Sequence, residues 1–265
     1  MATLWDPTAY ARFGDERTRP FLDLIARIGT DAPEVVVDLG CGNGPATLLL
    51  AQRWPGARIV GVDSSEDMLV AARELDVEGR VEWVLGDIAQ WDPSSIGAPI
   101  DVLVTNAALQ WIDGHRDLIR PWLEALPEGG WFAMQVPGNF SAPSHVLMRE
   151  AGLRHPRSDA ILDALRRPRS DDVGDYLETL LSAGVRADVW ETTCLQVLDP
   201  EARSDNPVLD WVSGTGLRPV LQALTDESER AAYLEDYGAA LQEAYPRTEH
   251  GVVLPFRRLF AVAEK

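Results

Sequence analysis

Lysine is almost missing from this chain. Lys265 is the only one among 24 basic residues, and the other 23 are arginine. A hydride-transfer site built on a Tyr-x-x-x-Lys pair is thereby excluded. Most of the arginine excess reads as a compositional bias, with a few guanidinium groups left to hold carboxylates by paired hydrogen bonds. Cysteine is scarce as well. Cys41 and Cys194 stand neither in a CxxC pair nor beside a histidine, which leaves no disulfide framework and no zinc motif, and fits reduced thiols in a cytosol. No apolar run approaches the ~18 residues of a transmembrane helix. The opening MATLWDPTAYARF lacks the charged-then-apolar order of an export signal. Positive charge is outnumbered, with 24 basic against 42 acidic residues and a formal net charge of −18. Such a surface repels phosphate backbones. The expectation is a soluble, cytoplasmic protein with neither nucleic acid nor membrane as partner and no bound metal.

What is present has a regular order. FLDLIARI (Phe21–Ile28) reads as a short amphipathic helix. VVVDLG follows, a β-branched run suited to a strand buried on both faces. The helix-like PATLLLAQRW, the strand ARIVGVD, the helix SSEDMLVAAREL and the strand VEWVLGD come next. IDVLVTN is a fourth strand, LIRPWLEAL a helix and WFAMQVP a fifth strand. Strands alternating with helices predict right-handed βαβ units and a parallel sheet. Beyond Pro137 the pattern loosens. Residues 138–170, rich in Pro, Ser and Arg, read as an insertion. DDVGDYLETLLSAG is a helix, VRADVWETTCLQVL a strand, 204–246 two or three helices, and FRRLFAVAE (Phe256–Glu264) a closing strand. The expected fold is α/β and Rossmann-like, with a seven-stranded, mostly parallel sheet, helices on both faces and a helical cap insertion.

Asp38-Leu39-Gly40-Cys41-Gly42-Asn43-Gly44 lies between the first strand and a helix, where open α/β sheets bind ligands. Glycines there let a backbone approach a ligand closely. A dinucleotide fingerprint would need a third glycine at the place of Pro45, so no pyrophosphate is implied. Asp38 would favour a cationic amino-acid group instead. Asp63 ends the second strand and can accept from a ribose diol, with Ser64 and Met68 just beyond it. Asp87 and Ile88 end the third strand, placed for the adenine amino group, although an aspartate there also caps turns. Asn106, Gln110 and Trp111 close the fourth strand and face the region of group transfer. S-adenosylmethionine satisfies all these features together, with Asp38, Gly40, Cys41, Gly42 and Gly44 around its amino-acid end.

VVVDLGCGNG also resembles motif I of class I methyltransferases. WDPTAYARFGDERTRP, GVDSSEDML, TNAALQW, QVPGNFSAPSHVLMRE, DVWETT, LDWVSGTGLRP and PFRRLFAVAE resemble the trans-aconitate 2-methyltransferase family. The resemblance implies methyl transfer to one carboxylate of a small anionic metabolite, leaving a monomethyl ester and S-adenosylhomocysteine. The chain departs from that family at Cys194-Leu195-Gln196, after the two threonines of WETT. Another small acid or a phenol is the alternative acceptor. A non-catalytic binder of an adenosine ligand is the alternative from a different class. Residues 1–30 are expected to form an N-terminal lid segment and first helix, and 31–265 the methyltransferase domain. Insertions 138–170 and 200–250 are expected to cap the acceptor site.

A carboxylate acceptor is already ionised at neutral pH, so no catalytic acid–base residue is required. Positioning and exclusion of water supply the rate. Residues expected to hold the acceptor are Arg218 and Arg258, His145, and Trp5, Tyr10 and Arg19 near the start. Arg218 equally suits the C-terminal end of a helix. Strand alternation turns one of Arg257 and Arg258 inward, and Arg258 is taken as that one. The arginines at 149, 154, 157, 166, 167 and 169 read as a surface that makes ion pairs.

Overall fold

The computed structural model describes residues 14–166 and 170–265. Trp5, Tyr10, Arg167 and Arg169 lie outside them. Helix α1 (Gly14–Ile25) starts earlier than the apolar periodicity suggested and ends sooner. Its end tightens, with the Arg27 and Ile28 N–H groups donating to the carbonyls of Leu24 and Ile25, three residues back. Then come β1 (Val35–Leu39), α2 (Pro45–Arg53), β2 (Arg58–Asp63), α3 (Glu66–Leu75), β3 (Val81–Leu85), β4 (Val102–Asn106), α4 (Arg116–Ala125) and β5 (Trp131–Pro137). The expected insertion is helical: α5 (Pro143–Arg154) and α6 (Ser158–Ala164) occupy it. The rest comprises α7 (Val173–Ser182), β6 (Arg186–Leu198), α8 (Pro207–Ser213), α9 (Arg218–Ala223), α10 (Glu227–Ala244), β7 (Arg247–Thr248) and β8 (Gly251–Glu264).

Seven strands run in the order β3-β2-β1-β4-β5-β8-β6, and the two-residue β7 joins as an eighth through β8. β1 to β5 pair in parallel. β8 runs antiparallel to β5, with Gln135 opposite Phe260 and Pro137 opposite Arg258. It begins earlier than Phe256 because its first residues form a hairpin with β7, pairing Arg247 with Val252.

Both faces of the sheet are covered, which explains the unbroken apolar runs. On one face Val37, Leu103, Phe132, Met134 and Leu259 pack with Ile119, Trp122 and Leu123 of α4 and with Tyr176 and Leu180 of α7. On the other, Val36, Val104, Ala133 and Phe260 pack with Phe21 and Leu24 of α1 and with Leu50 of α2. Trp190 of β6 stacks on Phe260 at 4.7 Å between ring centroids.

The described residues divide into two compact units. The first holds 14–137, 170–192 and 258–265, and the second holds 138–166 and 193–257. Inside the second, tyrosines tie helix to helix. Tyr233 and Tyr237 of α10 donate to the carbonyls of Met148 and Ser144, and the Tyr245 hydroxyl accepts from the Ser144 N–H. Arg154 and Arg157 make exposed ion pairs with Asp236 and Glu229. Each contributes little.

Candidate cofactor and acceptor site

β1 has β2 on one side and β4 on the other, so the strand order reverses at the carboxyl ends of β1 and β4. A crevice opens at such a point in an open parallel sheet. Two glycines shape its floor. Gly40 has φ of 81°, and a Cβ there would lie 2.3 Å from the Cβ of Ala108. The loop after β4 therefore presses directly on the turn after β1. Gly42 has φ of 56°, and its missing Cβ would meet no atom of the described residues within 4 Å. Pro45 opens α2, where its missing N–H is no loss.

Asp63 braces this turn. Its carboxylate accepts the Gly42 N–H at 2.9 Å on one oxygen and the Ser65 N–H at 2.9 Å on the other. Each oxygen keeps a lone pair for a further donor. Asp38 is 2% exposed and accepts from the Thr47 hydroxyl at 2.6 Å. Burial pushes its carboxyl up to about 7, against the pull of the Thr47 bond, and the negative charge of Asp63 adds to the rise. The thiol of Cys41 is also pushed up, by burial first and then by Asp38 and Asp63. It is a packed, neutral group and no nucleophile at neutral pH.

Around these, Ser64 is exposed while Met68 and Ile88 are buried. The Asp87 carboxylate is exposed and caps its own turn, accepting the Ala89 N–H at 2.9 Å. Ala107 holds the left-handed conformation, with φ of 54°, and donates its N–H to the Gln135 carbonyl at 2.8 Å. Gln110 is buried and donates to the Ala107 carbonyl at 2.6 Å. Trp111 is half-buried beside it. Two buried oxygens, Asn106 Oδ1 and Gln110 Oε1, have no hydrogen-bond partner among the described residues.

The residues expected to hold the acceptor are spread wider. Arg258 faces inward as alternation required. It is 6% exposed and donates through Nη1 to Gln135 Oε1 at 3.4 Å. Arg19 is instead an exposed residue of α1, 3.9 Å from Asp23 with 71% of its side chain in solvent. Arg218 does not end a helix but opens one: it is the first residue of α9, with Pro219 in the first turn, which suits proline. His145, in the first turn of α5, lies against the Gly216 stretch that precedes Arg218, and its ring meets Phe140 edge-on at 5.5 Å. Of the residues after WETT, Leu195 is 69% exposed and Gln196 is buried. Two participants were not singled out from the sequence, Thr47 and Gln135. The second had a signal, a polar residue inside the apolar strand WFAMQVP.

Among the described residues no three His, Cys, Asp or Glu gather as metal ligands would. None of their helices is long and apolar enough to cross a membrane.

Residues 36–130 match the methyltransferase domain family. With the strand order and the glycine turn, that defines a Rossmann-like class I methyltransferase. The trans-aconitate 2-methyltransferase of Streptomyces avermitilis is 47% identical over 98% of this chain and 97% of its own length. That of Streptomyces coelicolor is 47% identical over 100% of this chain and 88% of its own. The chain belongs to the trans-aconitate 2-methyltransferase family. The fold alone is shared with Haemonchus contortus phosphoethanolamine N-methyltransferase 2, solved in complex with S-adenosyl-L-methionine. That match covers 97% of this chain and 56% of the other, at a TM-score of 0.55 and 16% identity.

Proposed function

We propose that this chain is an S-adenosylmethionine-dependent carboxyl O-methyltransferase. It esterifies one carboxylate of trans-aconitate, or of a closely related small tricarboxylate, to a monomethyl ester and releases S-adenosylhomocysteine. The observation that carries the cofactor is Asp38, a buried carboxyl whose one hydrogen-bond partner among the described residues is the Thr47 hydroxyl. It stands at the foot of a glycine turn with an open side. An ammonium group satisfies it. The buried oxygens of Asn106 and Gln110 likewise lack donors among the described residues, and an ammonium has three to give. Asp63 offers lone pairs to a ribose diol, Met68 and Ile88 offer apolar surface to a purine, and Asp87 offers an acceptor to its amino group. The acceptor assignment rests on family membership.

Bound S-adenosylmethionine supplies a methyl group on a positively charged sulfur. The acceptor carboxylate is ionised at pH 7 and needs no proton removed. The chain's residues therefore bind, align and exclude water. Arg258 holds a carboxylate of the acceptor. Arg218, His145, Arg19, Trp5 and Tyr10 are further proposed contacts, each open to substitution. No residue is assigned as acid or base, and no metal is invoked.

The test is incubation with methyl-labelled S-adenosylmethionine and trans-aconitate, cis-aconitate, citrate, isocitrate or a fatty acid. Labelled ester on trans-aconitate is expected, with a loss of more than about tenfold in Arg258→Ala or Arg218→Ala. Label on the fatty acid alone refutes the reading.

A further inference from the structure

Asn106 ends β4 and is the register partner of Gln135 on β5, which in turn is opposite Phe260 on β8. Arg258 lies two residues before Phe260, on the same face of its strand. These three polar side chains form a row across three strands. They share the face whose other members, Val104, Ala133, Phe260 and Val262, belong to one apolar cluster. An amide placed there at 1% exposure is costly unless its groups are bonded.

Only half of that amide is bonded. A guanidinium carries donors and no acceptor, so the contact from Arg258 Nη1 at 3.4 Å fixes the Gln135 oxygen toward the arginine. The NH2 group is the half of the amide left over. Gln135 Nε2 is buried and has no hydrogen-bond partner among the described residues. A buried donor beside a buried cation is complementary to an anion with two oxygens.

We propose that Gln135 sets acceptor specificity: its amide NH2 donates to a substrate carboxylate that the Arg258 guanidinium also holds, while its amide oxygen positions that guanidinium. The proposal deepens the function given above and rests on it.

Equilibrium binding separates the two. Calorimetry of trans-aconitate with the S-adenosylhomocysteine-saturated protein is compared for the unsubstituted chain, Gln135→Met and Gln135→Glu. Met keeps the length and removes both the donor and the oxygen that positions Arg258, so the tricarboxylate should bind about tenfold or more weakly, with S-adenosylhomocysteine affinity held within about twofold. The melting temperature is read alongside as a check that each variant is folded. Glu sets a carboxylate against Arg258, and binding should weaken by roughly a hundredfold or more. In turnover, Gln135→Met should raise KM more than it lowers kcat. Undiminished trans-aconitate binding by Gln135→Met overturns the proposal, and so does a loss confined to S-adenosylhomocysteine. Failure of the unsubstituted protein to bind any tricarboxylate overturns it as well. Binding with the expected losses but no ester formed upholds this assignment and sinks the proposed reaction instead.

Discussion

Asp38→Asn should make the empty protein more stable and nearly abolish its affinity for the cofactor. The Asp38 carboxyl is raised from 3.8 to about 7, chiefly by burial and further by Asp63, with the Thr47 hydroxyl opposing. A raised acid binds its proton more tightly in the folded state than in the unfolded one. It therefore costs nothing below pH 3.8 and its full penalty above pH 7, and stability falls between those limits as pH rises. The shift corresponds to roughly 4 kcal/mol at pH 8. Asparagine has the same shape, carries no charge and still accepts from Thr47. Its own amide must stay buried, so the net gain at pH 8 should be ~1–3 kcal/mol. At pH 5 the aspartate is mostly protonated, and the difference between the two proteins should shrink by about 2–3 kcal/mol. Urea unfolding at the two pH values measures this. Calorimetry with S-adenosylhomocysteine should show binding weakened by ~10²–10³-fold, because a buried ammonium loses its counter-charge. In the unsubstituted protein, affinity should decline as pH drops below about 7, since the proton on Asp38 competes with the ligand. An Asp38→Asn protein that is less stable at both pH values, or that binds the ligand normally, refutes the reasoning.

Other consequences can be measured with less effort. Gly40→Ala puts a methyl group 2.3 Å from the Ala108 Cβ at a φ of 81°. It should cost ~2–4 kcal/mol in chemical unfolding, whereas Gly42→Ala, with open space beside it, should fold better yet still lose cofactor affinity. Asp63→Ala strips two N–H groups of their acceptor and should weaken S-adenosylhomocysteine binding by roughly 10–100-fold in calorimetry. His115 is bonded to the Tyr176 hydroxyl at 2.8 Å, and its pKa is lowered, first by burial. The unfolded chain then binds the proton more readily, so this histidine should lower stability as pH falls through about 6.5. His115→Phe should flatten that part of the stability profile.

Strands β1 to β5 were legible to within about two residues because each is a short, mainly apolar run, and in β1, β2 and β4 that run is β-branched and buried. Helices α5, α6 and α9 were not. They are short or open on proline, and they sit in stretches whose serine, arginine and glycine content reads as loop. Position 219 shows the difficulty, since a proline breaks a helix in its middle but suits its first turn, and the sequence does not say which applies. The residues proposed for the cofactor stand close together in the sequence. The glycines and Asp38 are contiguous, and Asp63 and Asp87 each follow a recognisable strand. The proposed acceptor pair is assembled differently. Gln135 meets Arg258 only through the β5–β8 register, across 123 positions of chain, and no local pattern encodes such a pairing. Asp38 was read as a ligand for a cation. Its depth, its bond to Thr47 and its raised pKa belong to packing that spacing does not reveal.

The place of β8 between β5 and β6 bears on how the chain assembles. β6 is synthesised more than fifty residues ahead of the strand it needs as a neighbour. During translation, the growing polypeptide holds both the edge of β5 and the whole of β6 without mates until the closing segment leaves the ribosome. The pairing of β8 with β5 also brings Arg258 to Gln135. The proposed acceptor pair is thus complete only when β8 is in place, whereas β1, β2 and β4, which frame the crevice, all precede it in the chain.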